Sequence, residues 1–103
     1  MVKLALMCKS QNFRLETICP ESDEYRVGQW VVGKHRRKEL LGEHVVLTKS
    51  RKSPAYMGGE IIGFSPLKNG KVEVLFKEDP SLVGNADAIN KSGWGLRRGV
   101  CYV

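Results

Sequence analysis

The most informative part of the sequence is a pair of strand-like segments joined by a short turn. Gly59 to Phe64 (GEIIGF) and Lys71 to Phe76 (KVEVLF) are rich in apolar strand formers, and the second alternates between apolar and polar side chains. Between them, Asn69-Gly70 is a dipeptide that adopts positive φ easily and suits a type I′ turn. The pattern predicts a β-hairpin and a fold based on short antiparallel strands.

The rest of the chain adds further short strands and one helix. The predicted strands are Val2 to Cys8, Phe13 to Ile18, Tyr25 to Gly33, Glu43 to Thr48 and a terminal strand from about Gly99. Lys34 to Leu41 (KHRRKELL) consists of good helix formers followed by Gly42, so it predicts a short helix packed through Leu40 and Leu41. Glu78 to Gly93 is a long polar stretch with at most one helical turn, around Ala86 to Ile89.

Length and element order together predict the fold class. A chain of 103 residues with 42% hydrophobic content supports one core, so residues 1–103 are expected to form a single domain. The predicted class is α+β, mainly β. It is a small mixed pseudobarrel of five or six strands with one or two short helices.

The charge balance favours a polyanionic partner. Seventeen Lys and Arg residues against eleven Asp and Glu give a formal net charge of +6. Nucleic acid, either DNA or RNA, is therefore the expected partner. No apolar run approaches the roughly 18 residues of a membrane span, so no membrane association is expected. Three cysteines without CxxC spacing and no recognisable secretory leader predict a cytoplasmic protein.

A cluster of cations indicates where such a partner would bind. Seven of the seventeen lie within nineteen positions: Lys34, Arg36, Arg37, Lys38, Lys49, Arg51 and Lys52. Exposed Lys and Arg contact phosphates, and Arg can bind two phosphate oxygens at once. A merely solvated face is the alternative. The predicted nucleic-acid contacts are Arg36, Arg37, Lys38, Lys49, Arg51, Lys52, Arg97 and Arg98.

Three aromatic residues add to the case for nucleic acid. Trp94 lies between two glycines and Tyr56 lies in a predicted loop, where an exposed ring can stack on a base. Trp30 lies two residues after Gly28 in a predicted strand. Trp30 fits the core as well as it fits a pocket. Trp94 is followed by Arg97 and Arg98 and is the better candidate for a ligand-facing ring.

Enzyme chemistry has less support. Thr48, Lys49 and Glu60 lie on or beside the strands that flank the central loop and would suit a small hydrolase, in which a desolvated lysine works with a carboxylate. His35 and His44 would suit a ribonuclease. Neither set has a diagnostic spacing, and no catalytic residue is assigned.

Metal binding is also disfavoured. The candidate ligands have no ligand-pair spacing: they are Cys8, Cys19, His35 and His44. His35 moreover lies within a run of cations. Neither a metal nor another cofactor is expected.

The order of these segments resembles the PUA-like superfamily, particularly its EVE and ASCH branches. The similar motifs are Gly42-Glu43-His44-Val45-Val46-Leu47, then Glu60-Ile61-Ile62-Gly63-Phe64, and the Lys9-Ser10 turn that follows an apolar first strand. The resemblance implies a small pseudobarrel that binds nucleic acid. In EVE-like domains it also implies a modified base held in an aromatic-lined pocket, for which the base must leave its stack.

The resemblance also indicates which residues would form that pocket. Carried over to this sequence, Ser10, Asn12, Trp30 and Lys49 to Ser53 would lie near that pocket, with Trp94 as a possible wall. Together with the loop ring of Tyr56, the predicted base-pocket residues are Ser10, Asn12, Trp30, Ser50, Tyr56 and Trp94. The ASCH branch includes a small amidohydrolase that uses Lys, Thr and Glu, but this chain lacks that branch's Gly-x-Lys-x-x-Glu-x-Arg run. A non-enzymatic nucleic-acid-binding module is thus favoured. The alternatives are a small hydrolase acting on RNA or a modified nucleoside, and a protein-interaction factor using a basic face.

Overall fold

The computed structural model describes residues 2–8, 14–89 and 99–103, and for residues 14–20 the description is limited to the backbone. These residues form the following elements: β1 (Val2–Met7), β2 (Arg14–Cys19), β3 (Glu24–Trp30), α1 (Lys34–Leu40), β4 (His44–Thr48), β5 (Met57–Pro66), β6 (Val72–Glu78) and β7 (Val100–Tyr102). Two 3-10 turns cover Pro20–Ser22 and Pro80–Leu82. The second 3-10 turn is followed by a hydrogen-bonded turn at residues 87–89. The sequence predicts a single helical turn in this region, around Ala86 to Ile89.

The seven strands form one mixed sheet in the order β2-β3-β6-β5-β4-β1-β7. β1 and β4 are parallel, and all other neighbours are antiparallel. The sheet is curled. This is seen from Trp30 in β3, which lies beside Gly99, the residue that precedes the edge strand β7. A Cβ atom added to Gly99 would lie 3.2 Å from the Trp30 ring. The predicted α+β, mainly β class is confirmed, with seven strands in place of five or six.

The parallel pair β1 and β4 is buried on both faces. Leu4 and Val45 belong to the main core inside the curl. Ala5 and Val46 belong to a second cluster on the outer face, which includes Ala88 and has Leu82 packed against it. The long polar segment after β6 therefore covers the outside of this pair. This double burial explains why β1 and β4 are nearly continuous apolar runs without strict alternation.

Helix α1 confirms the predicted helix but packs only one of its two leucines. Leu40 is buried, whereas Leu41 is 52% exposed. Leu41 has already left the helical conformation (φ −58°, ψ 127°), and Gly42 then turns the chain at φ +83°. Neighbouring helical positions also point about 100° apart, so two consecutive leucines do not share a buried face. No described helix is long and apolar enough to span a membrane.

The predicted hairpin is confirmed between β5 and β6, but the predicted type I′ turn is wrong. Gly70 has φ +82°, while Asn69 does not have positive φ. The Gly70 amide donates to the Leu67 carbonyl at 3.2 Å, and the Leu67 amide donates to the Lys71 carbonyl at 2.8 Å. This is a type I turn followed by a left-handed glycine. The Asn69 side chain accepts from the Lys71 amide at 3.0 Å and donates to Gln29 at 2.9 Å, which favours this geometry.

Gly70→Ala is expected to destabilise the protein by about 1 to 2 kcal/mol, because an L side chain is strained at this positive φ. No atom lies within 4 Å of the added Cβ, so steric overlap does not contribute. Gly70→Asn at the same position should cost less, since asparagine tolerates the left-handed region. Urea unfolding of both variants measures the difference. Equal losses would show that backbone conformation is not the cause.

Candidate nucleic-acid interface

Strand β4 divides the predicted cation cluster into two surfaces. α1 precedes β4, and the loop of residues 49–56 follows it. A five-residue strand spans about 16 Å at roughly 3.3 Å per residue. Arg36, Arg37 and Lys38 therefore lie at one end of the strand, here called the helix end. Lys49, Arg51 and Lys52 lie at the other, here called the loop end.

At the helix end, two of the arginines contact protein groups. The Arg37 Nε donates to the Val32 carbonyl at 2.9 Å. The Arg36 guanidinium stacks on Tyr102, with Cζ 4.4 Å from the ring centroid, and its Nη1 lies 3.8 Å from Glu39 Oε2. Lys38 is exposed. Part of the donor capacity of these arginines is thus used within the fold.

A cavity of about 290 Å³ lies beside Arg36 at the helix end. The lining residues come from α1, the segment after it, and the two neighbouring strands: Lys3, Arg36, Glu39, Leu40, Glu43, Tyr102 and Val103. Among these, the positive charges of Lys3 and Arg36 are balanced by the carboxylates of Glu39 and Glu43. The wall of this cavity therefore carries no excess positive charge to attract phosphate.

At the loop end, the cations form no ion pair with any described side chain. Lys49, Arg51 and Lys52 are all exposed. Residues 49–56 also contain no Asp or Glu. The loop therefore presents three positive charges to solvent.

The loop that carries these cations is held by hydrogen bonds. The Tyr56 amide donates to the Leu47 carbonyl at 3.0 Å, and the Ala55 amide donates to the Asn85 carbonyl at 2.9 Å. At the tip, the Ser53 amide donates to the Ser50 carbonyl at 3.2 Å, and the two hydroxyls are 2.8 Å apart. The predicted pocket residue Ser50 thus shapes the turn that displays Arg51 and Lys52.

Tyr56 is anchored beside these cations with part of its ring exposed. Its hydroxyl donates to the Cys8 carbonyl at 2.9 Å, and its side chain is 36% exposed. The Lys49 ammonium lies over the ring, 6.0 Å from the centroid. Burial, followed by the contact with Cys8, raises the pKa of the Tyr56 hydroxyl well above its usual range, so the ring remains neutral. Burial likewise raises the pKa of the Cys8 thiol, which disfavours a nucleophilic thiolate.

The prediction that Trp30 lines a base pocket is wrong. Its side chain is 1% exposed, and its Nε1 donates to the Val27 carbonyl at 3.1 Å. The pairing of β3 with β6 shifts register between Val27 and Trp30. This irregularity places Trp30 on the same inward face as Val27, against the strict alternation of a regular strand. The ring fills the curl of the sheet and offers no face to a ligand.

Five predicted site residues lie outside the described residues: Ser10, Asn12, Trp94, Arg97 and Arg98. Two of the described residues that flank these segments, Cys8 and Gly99, lie near the loop end. The Cys8 amide donates to the Thr48 carbonyl at 2.8 Å, and the Met7 amide donates to the Gly99 carbonyl at 2.7 Å. Segments 9–13 and 90–98 contain four cations, Lys9, Lys91, Arg97 and Arg98, and no Asp or Glu.

The hydrolase residues are not brought together. Glu60 pairs with His44 at the start of β4, whereas Thr48 ends that strand, about 13 Å away at roughly 3.3 Å per residue. Thr48 is buried, with a hydroxyl that has no hydrogen-bond partner among the described residues, while Glu60 is exposed. His35 lies on α1 and His44 follows it, so both histidines are at the helix end, away from the unpaired cations. Among the described residues, no three His, Cys, Asp or Glu side chains are grouped to hold a metal ion.

Sequence reasoning missed the contact that orients Tyr56. Tyr56 and Cys8 are separated by 48 positions, and no local pattern connects them. The stacking of Arg36 on Tyr102 was missed for the same reason, because the two residues lie on elements that meet only in the folded protein.

Comparison with known proteins assigns no family. No family model matches the chain, and the searches of curated proteins and of solved structures give no match either. The PUA-like resemblance therefore rests on the sequence motifs alone.

Proposed function

We propose that the protein is a nucleic-acid-binding module of PUA-like type that contacts the phosphate backbone through its loop end. The observation that carries this proposal is the set of three exposed, unpaired cations on an anchored loop, Lys49, Arg51 and Lys52. Exposed Lys and Arg provide the sequence-independent part of nucleic-acid affinity. Tyr56 provides an aromatic surface beside them.

The distribution of charge favours the loop end over the helix end. Residues 49–56 contain three cations, Lys49, Arg51 and Lys52, and no carboxylate. The helix end places Glu39 and Glu43 among its cations. A polyanion is attracted where positive charge is in excess. Of the predicted phosphate contacts, Arg36, Arg37 and Lys38 therefore have less support than the loop cations.

The curled mixed sheet is compatible with the small pseudobarrel that the PUA-like resemblance implies. The modified-base pocket of that resemblance receives less support, because Trp30 lies in the core. Among the described residues, the exposed ring of Tyr56 on the loop is the aromatic surface that supports this proposal. The proposal is therefore a binding module, with no reaction assigned to it.

Fluorescence anisotropy of labelled DNA and RNA oligonucleotides at increasing salt tests the proposal. Three phosphate contacts predict a slope of about −2 in log affinity against log salt for a single strand, at roughly 0.7 per contact. Affinity should therefore fall about 20-fold between 50 and 200 mM salt. Absence of binding at the lowest salt, or an affinity independent of salt, would overturn the proposal.

A further inference from the structure

The hydrogen bonding of Tyr56 limits what this residue can recognise. Its hydroxyl proton is directed to the Cys8 carbonyl, and its backbone amide is directed to the Leu47 carbonyl. Neither donor is available to the edge of a base. The exposed part of the ring still offers a ligand a π surface, and stacking on a ring is tolerant of base identity because every base has a π face.

The position of Lys49 allows stacking and a phosphate contact to occur together. Its ammonium lies 6.0 Å from the Tyr56 ring centroid, at the outer limit of cation–π attraction. The lysine side chain is exposed and long, so it can turn to a phosphate when a base occupies the ring. A base stacked on Tyr56 would thus have a backbone contact within reach.

The loop is also prepared for binding in advance. Ala55 is buried. Its amide donates to the Asn85 carbonyl at 2.9 Å, and its carbonyl accepts from the Gly84 amide at 2.6 Å. Tyr56 directly follows this anchored residue. A ring that is already held in place loses little conformational entropy when a ligand stacks on it.

We propose that the loop end binds single-stranded nucleic acid by stacking one unpaired base on Tyr56 while Lys49, Arg51 and Lys52 contact the backbone, without selecting the base. This inference rests on the proposed function and narrows its ligand class. A duplex is disfavoured, because both faces of a paired base are covered by its neighbours unless the base is extruded at a cost. A modified base gains no particular advantage at a single ring face.

The first experiment compares single-stranded homopolymers with a duplex of equal length at the same salt concentration. A length of about 12 nucleotides lies within the usual size of a single-strand binding site. The homopolymers should bind within about fivefold of one another, and the duplex about tenfold or more weakly than the single strands. A duplex that binds as tightly as the single strands overturns this inference and leaves the proposed function standing. A preference of about 100-fold for one base or one modified base overturns it as well. Absence of binding to all of them overturns the proposed function itself.

The second experiment compares Tyr56→Leu with Tyr56→Phe. Both variants lose the hydrogen bond to the Cys8 carbonyl, so the difference between them isolates the aromatic ring. Tyr56→Phe should bind single strands within about threefold of the unmodified protein, and Tyr56→Leu should bind at least about fivefold more weakly than Tyr56→Phe. The salt slope should be the same for both, because no cation is removed. Thermal unfolding of each variant establishes that it is folded at the temperature of the measurement. Equal affinities of the two variants would refute the stacking role.

Discussion

Gly59→Ala is expected to destabilise the protein by about 3 kcal/mol, at the upper end of typical overpacking costs. An added Cβ would overlap the Lys77 carbonyl oxygen and would lie 2.7 Å from its carbon and 2.9 Å from the Phe76 ring. Both obstacles belong to β6, whose pairing with β5 fixes the separation of the two backbones. A backbone obstacle cannot turn aside as a flexible side chain does, so the sheet itself must shift.

Gly63→Ala, in the same strand, is the matched control. Its added Cβ would meet only the end of Leu75, at an ordinary contact distance of 3.5 Å. The change should therefore cost less than about 1 kcal/mol. Thermal and urea unfolding measure both variants, and a loss of about 3 kcal/mol corresponds to a fall in Tm of roughly 12 °C or more in a domain of this size. Similar losses of stability for the two variants would mean that the close approach of β6 to Gly59 is not the cause of the destabilisation.

The double variant Arg51→Ala with Lys52→Ala is expected to weaken nucleic-acid binding about 25-fold at 0.1 M salt. The removal of two phosphate contacts should reduce the salt slope by about 1.4, at roughly 0.7 per contact on a single strand. At 1 M salt the phosphate contacts contribute little to affinity. Lowering the salt tenfold to 0.1 M therefore turns a slope change of about 1.4 into a difference in affinity of about 25-fold. Both side chains are exposed and unpaired, so stability should change by less than about 0.5 kcal/mol.

A second double variant, Lys34→Ala with Lys38→Ala, controls for net charge. It removes the same two charges, from +6 to +4, but does so at the helix end, where both lysines are exposed on α1. Affinity should fall by no more than about threefold, because distant charges are largely screened at this salt concentration. If both double variants weaken binding equally, the attraction is a property of total charge and the loop end is not the site.

The local elements of this fold could be predicted because they depend on near neighbours in the chain. The hairpin follows from apolar alternation on both sides of a glycine turn, and α1 follows from a run of helix formers closed by Gly42. The same reasoning placed the exposed cations and Tyr56 on one loop between two buried strands. Each of these features is decided by interactions within a few residues.

Two of the predictions that proved wrong, the turn type and the position of Trp30, depended on contacts between distant segments, whereas the exposure of Leu41 follows from the local end of α1. The turn type depends partly on the bond from Asn69 to Gln29, 40 positions away. The burial of Trp30 depends on a register shift against β6 and on the space beside Gly99. The charge cluster that appeared continuous in the sequence is divided because β4 extends between its two halves.

The sequence by itself therefore determined the kinds of elements, the mixed and mainly β class, and the chemical character of the exposed loop. Tertiary structure alone decided which aromatic ring is exposed and which of the predicted cations lie on the same surface. The physical reason is that each strand has two faces and two ends, and only its pairing within the sheet decides which residues each of them contacts. Register selects the face, which buries Trp30, and the length of β4 separates the ends, which leaves Lys49, Arg51 and Lys52 on the same loop as Tyr56.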